Sequence, residues 1–255
     1  MNRIMQFFGR RKVWAVPYVA VMAVMVVLPL LLLGWYSFVD EDGFTLKYFE
    51  KFFCSTDSLN TFVYSIGIAM ITTLICIVIG YPAAYFMADR QFSTPKVMAL
   101  LFILPMWINL LLRTLATVAL FDFLHLPLDE GALVFGMVYD FLPFMIYPIY
   151  NTLQKMDSTL IDAAKDLGAK PFRVFIDVVL PLSMPGVYSG ILMVFMPTIS
   201  TFAVSELLTM NNVKLFGSII QENINVGLLN YGSALSLILL IIIGLTTFFD
   251  EEGNK

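Results

Sequence analysis

The sequence predicts an all-α, polytopic membrane protein with six transmembrane helices and both termini in the cytoplasm, and three observations predict it. Only 13% of its 255 residues are charged, against 59% hydrophobic, and its mean hydropathy is +0.84. A soluble domain needs about 25% charged residues to coat its core with a wetted surface. The second observation is a set of runs of helical length with little or no charge, at about 14–36, 61–88, 97–121, 133–151, 182–205 and 233–249. A hydrocarbon crossing takes about 20 such residues. The third is that Lys and Arg alternate between loops. Residues 1–255 therefore read as a single transmembrane domain.

The first run, Trp14 to Tyr36, is broken only by Pro17 and Pro29, which membrane helices tolerate. Arg10, Arg11 and Lys12 before it invite a signal-peptide reading. The run is too long for that and no small-residue cleavage site follows, so it reads as a retained first helix. The second, fifth and sixth runs carry no charged residue; the third holds Arg113 and the fourth Asp140. Arg3, Arg10, Arg11, Lys12, Arg90, Lys96, Lys155, Lys165, Lys170, Arg173 and Lys255 fall on one side, and only Lys47, Lys51 and Lys214 on the other. The positive-inside rule puts the first group in the cytoplasm. The outer loops, about 37–60, 122–132 and 206–232, are rich in acid, including Glu206 and Glu222, and weakly attract cations.

Several function classes are excluded. A net charge of −4 and a pI near 4.9 offer no basic surface to nucleic acid. No Gly-Lys dipeptide occurs, so no Walker A loop can cradle ATP phosphates. The lone His125 supports no two-histidine metal site, and Cys54 and Cys76 are too far apart for a CxxC pair. Asp40-Glu41-Asp42-Gly43 lacks the alternate ligand spacing and terminal Glu of an EF-hand and reads as a solvated turn. No cofactor or metal is expected in this chain.

The longest inner loop, 152–181, differs from the rest. Ser158 is placed to cap a helix with Leu160, Ala163, Ala164 and Leu167 on one face, and Gly168 to close it in a left-handed conformation. Pro171 then opens a second helix with Phe172, Phe175, Ile176 and Val179 at the same spacing, ended by Leu180-Pro181. The apolar stripes are expected to pack on the bundle, with Asp162, Lys165 and Asp166 on the polar face.

Asp162-Ala163-Ala164, three residues, Gly168, nine residues, Val178, one residue and Leu180-Pro181 resembles the EAA loop of ABC importer permeases. That loop usually reads Glu-Ala-Ala, three residues, Gly, nine residues, Ile, one residue, Leu-Pro. Asp162 and Val178 are conservative departures. Further segments are similar to the spermidine/putrescine permease subfamily: Trp35-Tyr36-Ser37-Phe38, Gly80-Tyr81-Pro82-Ala83-Ala84-Tyr85, Leu104-Pro105-Met106-Trp107, Leu112-Arg113-Thr114, Tyr139-Asp140-Phe141-Leu142-Pro143-Phe144-Met145 and Ser205-Glu206-Leu207-Leu208. The resemblance implies a permease subunit that moves polyamines by alternating access. Asp162, Ala163, Ala164, Gly168, Leu180 and Pro181 would then dock on a separate ATPase subunit that holds ATP and Mg. It also implies a second permease subunit, identical or related, an extracytoplasmic solute-binding protein, and residence in a prokaryotic plasma membrane. An interfacial helix without a partner is the bland reading of the loop, but such helices carry more Lys and Arg.

Charges inside a membrane are costly and mark function by default. Arg113 and Asp140 lie about 11–12 Å below the outer ends of adjacent antiparallel spans, at about 1.5 Å per residue. They read either as a structural ion pair or as a substrate-ammonium ligand, Asp140, with Arg113 elsewhere. Glu206 is the stronger ligand candidate. A polyamine pathway wants separated carboxylates and aromatic faces, and Tyr36, Trp107 and Tyr139 offer faces with Asn109 beside them. Packing or an interfacial aromatic belt is the bland reading of each. Other readings of the whole chain are a permease for iron, thiamine or an anion, an ATP-independent secondary carrier, and a membrane-embedded enzyme. The last lacks any nucleophile with a base.

Overall fold

The computed structural model describes residues 10–40, 43–88 and 95–253. Arg3, Arg90 and Lys255 of the charge pattern, and Glu41 and Asp42 of the acidic turn, lie outside them.

In chain order the elements begin with α1 (Arg10–Phe38), a hairpin of β1 (Val39–Asp40) and β2 (Gly43–Phe44), a short α2 (Lys47–Cys54) and the long α3 (Thr56–Ala88). Next come α4 (Pro95–Ile103) with a 3-10 turn at Leu104–Trp107, α5 (Leu110–Phe123), α6 (Glu130–Lys155) and α7 (Ser158–Asp166). The chain closes with α8 (Pro171–Ser200), α9 (Ala203–Leu208), α10 (Phe216–Asn225) and α11 (Leu229–Gly253). Among the described residues four helices, α1, α3, α6 and α8, are long and apolar enough to span a membrane, and a bent pair makes a fifth. In α11 the apolar stretch is Leu229–Gly244.

The bundle is centred on α6, which packs against α3 and α8. Small residues allow that approach. A Cβ on Gly190 of α8 would stand 2.7 Å from Met145 Sδ, and one on Gly186 would stand 2.9 Å from the Pro148 carbonyl. Gly186-Val187-Tyr188-Ser189-Gly190 is thus a small-xxx-small contact, where van der Waals packing replaces the hydrophobic drive that lipid cannot supply. From the other side, Gly80 of α3 admits Met145 and Ile146. Met145, fully buried, is the side chain that both neighbours close upon. By contrast α1 exposes every residue from Pro17 to Leu32.

Buried hydroxyls tie the ends of the bundle. Tyr81 and Ser183 pair at 2.7 Å between α3 and α8. At the other end, Ser58 of α3 meets the Tyr231 hydroxyl of α11 at 3.2 Å, and Ser65 Oγ accepts from the Phe216 amide at 2.8 Å. Lys51 of α2 sits 4.4 Å from the Tyr231 ring, and Asn230 donates to the Val39 carbonyl. The strands β1 and β2 accordingly brace α11, with the Tyr48 hydroxyl donating to Asp40.

The structure corrects five expectations. The third run is not one straight span: α4 and α5 meet at 100°. Pro105 has no amide for the helical ladder, the chain tightens to a 3-10 turn, and Ile108 is extended (ψ 137°). Asn109 then restarts the helix, its side-chain oxygen accepting from the Leu111 amide at 2.8 Å. The fifth run likewise stops at Ser200 rather than 205, and α9 is separate. The cap of α7 is Asp157, which accepts from the Thr159 amide at 3.0 Å, not Ser158. Leu180-Pro181 does not end a helix. A π turn over Phe175–Val179, in which the Leu180 amide bonds the Phe175 carbonyl five residues back, opens the backbone just before Pro181, and α8 continues to Ser200. Finally, the stripe of the inner loop packs on the bundle only in part. Phe175 and Val179 turn inward as expected, but Leu167 is 89% and Phe172 74% exposed, and Ile161 and Val174, off the expected stripe, are turned inward as well.

Candidate functional site

Three places carry the chemistry that the sequence singles out: a buried pair between α5 and α6, the turn between α7 and α8, and a cavity between α9 and α10.

Arg113 and Asp140 face each other across α5 and α6, 5% and 0% exposed, with Arg113 Nε 3.3 Å from Asp140 Oδ1. Arg113 Nη2 donates to the Asp140 backbone carbonyl at 3.1 Å, and Thr114 Oγ1 donates to Asp140 Oδ2 at 3.1 Å. The Nε to Oδ1 contact is an ion pair without hydrogen-bond geometry, and Nη1 has no hydrogen-bond partner among the described residues. Attraction at this range is strong in a low dielectric, and the same low dielectric makes each charge costly alone. Tyr139, on the same turn, places its ring 6.0 Å from the Arg113 guanidinium carbon.

At one end of the bundle, α7 and the start of α8 form the expected helix, turn and helix. Gly168 sits at φ +80°, where a side chain is strained, and the Ala169 amide returns to the Ala164 carbonyl at 3.1 Å. Pro171 occupies the first turn of α8. Asp162, Ala163 and Gly168 are exposed, Ala164 and Leu180 are half-buried, and Pro181 is exposed. Asp162 pairs only loosely with Lys165, at 3.8 Å in solvent. Phe175 anchors this segment by standing edge-on to Tyr81 and Tyr85, with centroids 5.8 and 5.3 Å away. The C-terminal end of α3 and the helical turn therefore share one end of the molecule.

At the opposite end an open cavity of about 380 Å³ is lined by Glu206 of α9, by Asn211, Val213 and Lys214 of the following loop, and by Ser218, Glu222, Asn225 and Val226. Ser205 and Ser218 bond at 3.0 Å beside it and hold α9 to α10. Of the residues proposed for a substrate path, Glu206 alone lines this cavity. Tyr36 and Tyr139 are 43% and 45% exposed on the bundle surface, Trp107 is 75% exposed at the break between α4 and α5, and Asn109 is spent as the cap of α5. Lys214 and Glu222, which pair in the cavity, enter the sequence reading only as outer-loop charges, not as a pair. Their separation of eight residues across a loop carries no helical or strand period that would mark them.

A family model described as "Binding-protein-dependent transport system inner membrane component" matches residues 77–250. The chain is 35% identical over 201 residues to the spermidine/putrescine transport system permease protein PotB of Escherichia coli (strain K12), covering 72% of this chain and 73% of that one. To the protein of the same name in Haemophilus influenzae it is 33% identical over 254 residues, covering 90% and 89%. Among solved structures, a bacterial ABC transporter that imports the acidic polysaccharide alginate superposes with a TM-score of 0.70 at 12% identity, over 100% of both chains. An inward-facing MetNI methionine ABC transporter gives 0.60 at 15% identity, over 78% of this chain and 96% of that one. At such identities these structures speak for the fold alone.

Proposed function

The chain belongs to the family of binding-protein-dependent transport system inner membrane components, and from that premise we propose that it is the permease subunit of an ABC importer for polyamines such as spermidine and putrescine. The observation that carries the substrate class is the 33% identity over 254 residues to a spermidine/putrescine permease. In this reading six spans cross a prokaryotic plasma membrane with both termini inside. Two permease subunits share a pathway, and ATP and Mg reside on partner ATPase subunits. An extracytoplasmic binding protein delivers the solute; one solved relative in fold is complexed with an alginate pentasaccharide-bound periplasmic protein.

The mechanism follows from continuity of the chain. Asp162, Ala163, Ala164 and Gly168 present a small, exposed surface to an ATPase cleft, with Leu167 and Phe172 as large exposed apolar contacts beside them. Helix α8 starts three residues past Gly168 and runs 30 residues to Ser200, about 45 Å at 1.5 Å per residue. Leu180 and Pro181 lie where its π turn lets it bend. Pushing the turn as the ATPases close thus tilts a single lever whose far end adjoins α9 and the outer cavity. ATP and substrate then bias one two-state element from its two ends. Asp140 holds Arg113 and locks α5 to α6, and its alternative role as an ammonium ligand requires that this pair open. Tyr36, Trp107, Tyr139 and Asn109 would line the path between the paired subunits.

The test is uptake of labelled spermidine and putrescine in cells carrying all partner chains. Saturable, ATP-dependent uptake is expected. Its absence, with iron, thiamine or an anion carried instead, sinks the polyamine assignment. Transport and subunit assembly that survive both Asp162→Arg and Gly168→Pro sink the coupling role and favour a carrier without an ATPase.

A further inference from the structure

The loop between α9 and α10 is held in a costly shape. Met210 and Asn211 are consecutive non-glycine residues at φ +49° and +63°, a region in which a methionine is strained. The shape is pinned on both sides. The Asn211 amide donates to the Glu206 carbonyl at 3.0 Å and the Asn212 amide to the Thr209 carbonyl at 2.9 Å. The Val213 amide donates to the fully buried Thr209 hydroxyl, which itself donates to the Ser205 carbonyl at 2.6 Å. The result is that Lys214 turns back over the cavity and sets its ammonium on the Glu222 carboxylate. The ion pair is not what holds the loop: the two side chains are 53% and 55% exposed, and an exposed pair contributes little to stability.

The chemistry of the cavity gives a better reason. A lysine side chain is an ammonium on four methylenes, the same group as the aminobutyl end of a linear polyamine. It occupies a space of about 380 Å³, within the range of roughly 300–1,000 Å³ for small-ligand sites. That space also holds a second carboxylate, Glu206, and apolar surface from Val213 and Val226 for a methylene chain. Lys214 pairs with one of these carboxylates, Glu222. A free diammonium has an end for each, and its second contact is intramolecular once the first is made.

We propose that this outer cavity is an alkyldiammonium site in which Lys214 is a tethered surrogate, holding Glu222 until a substrate with two ammonium groups displaces it. The inference rests on the polyamine reading and adds to it a selection step: Lys214 makes a monoammonium a poor entrant, because one ammonium merely exchanges for another.

The experiment uses the complete importer in proteoliposomes with all partner chains. It measures half-saturating concentrations for 1,4-diaminobutane uptake and competition by butylamine. Lys214→Met keeps the stem and removes the rival charge. It is expected to lower the half-saturating concentration by about 2–5-fold, as loss of a weak exposed pair implies, and to improve butylamine as a competitor by more, narrowing selectivity. Glu222→Gln is expected to raise the half-saturating concentration several-fold, and the gain from Lys214→Met is expected to vanish in the Glu222→Gln background. Both positions are exposed enough that neither change threatens the fold. Wild-type uptake that is saturable and unaltered in half-saturation and selectivity by Lys214→Met overturns the surrogate role while leaving the polyamine reading in place. Absence of saturable polyamine uptake in the wild type overturns both.

Discussion

Arg113–Asp140 and Asp162–Lys165 are both unlike charges within 4 Å, at 3.3 and 3.8 Å, yet they do opposite things. The first is sealed between α5 and α6, 5% and 0% exposed, with hydrogen bonds from Thr114 to the carboxylate and from Arg113 to a backbone carbonyl beside it. The second lies on the surface of α7, with Asp162 68% and Lys165 59% exposed, and releases Asp162 at little cost. The difference is one of surroundings. A charge removed from water is bound to its partner because it has no alternative, whereas a hydrated one is free to change partners. The interior pair fixes the geometry of the bundle, and the surface pair leaves Asp162 available to another partner. The outer Lys214–Glu222 pair, half-exposed, belongs with the second kind.

The largest effect expected is on the sealed pair. Asp140→Leu strands the Arg113 guanidinium in the bundle and is expected to cost about 3–5 kcal/mol. It should be seen as a large drop in the yield of folded protein and in Tm in detergent. Arg113→Leu with Asp140→Leu is expected to recover most of that loss, since an apolar pair of similar volume is often neutral. The exchange Arg113→Asp with Asp140→Arg separates two roles. Restored folding with restored transport means a lock alone, and restored folding without transport means that Asp140 also meets substrate. If Asp140→Leu is as stable as the wild type, the contrast between the two pairs is broken.

A second, smaller effect comes from glycines, which divide along the same line. Gly190 is packed against Met145, and a side chain there must move Met145 or its backbone. Gly190→Val is expected to cost about 1–3 kcal/mol through overpacking, measured as a fall in Tm. Gly34, which has nothing within 4 Å, is expected to accept Ala with no measurable loss.

Much of this was legible in the sequence, because membrane spans are set by local composition. The positions of α1, α3, α6 and α8 follow from apolar runs, and Gly168 and Pro171 do what their backbone chemistry dictates. Other features were not legible, since they depend on what lies opposite. Pro105 and Pro181 both interrupt the helical ladder. At Pro105 the chain breaks at 100°, whereas at Pro181 a π turn absorbs the missing bond and the helix runs on. Nothing local to the two prolines tells these outcomes apart. The exposure of Leu167 and Phe172 is equally non-local, because an apolar stripe marks a buried face without saying whose surface buries it. The cavity joins Glu206, Lys214 and Glu222 through a left-handed methionine that no propensity anticipates.

The smallest effects on stability, and the most telling ones for function, belong to the exposed turn. Lys165→Ala removes one partner of a solvated pair and is expected to change stability by less than about 0.5 kcal/mol, with transport near wild type. Asp162→Arg acts on the same surface and should be equally harmless to Tm, because nothing in the bundle packs on that carboxylate. If an ATPase cleft reads Asp162, however, reversing its charge places like charges together at the interface. Uptake should then fall by an order of magnitude or more while the assembled ATPase still hydrolyses ATP. A stable, correctly inserted Asp162→Arg protein with normal uptake would show that the exposed pair is as idle as its energetics suggest. A fall in uptake with unchanged Tm would show that a residue contributing almost nothing to the fold carries the connection to the motor. Those two outcomes differ in transport alone, and for that reason the weak pair is the sharper probe of function.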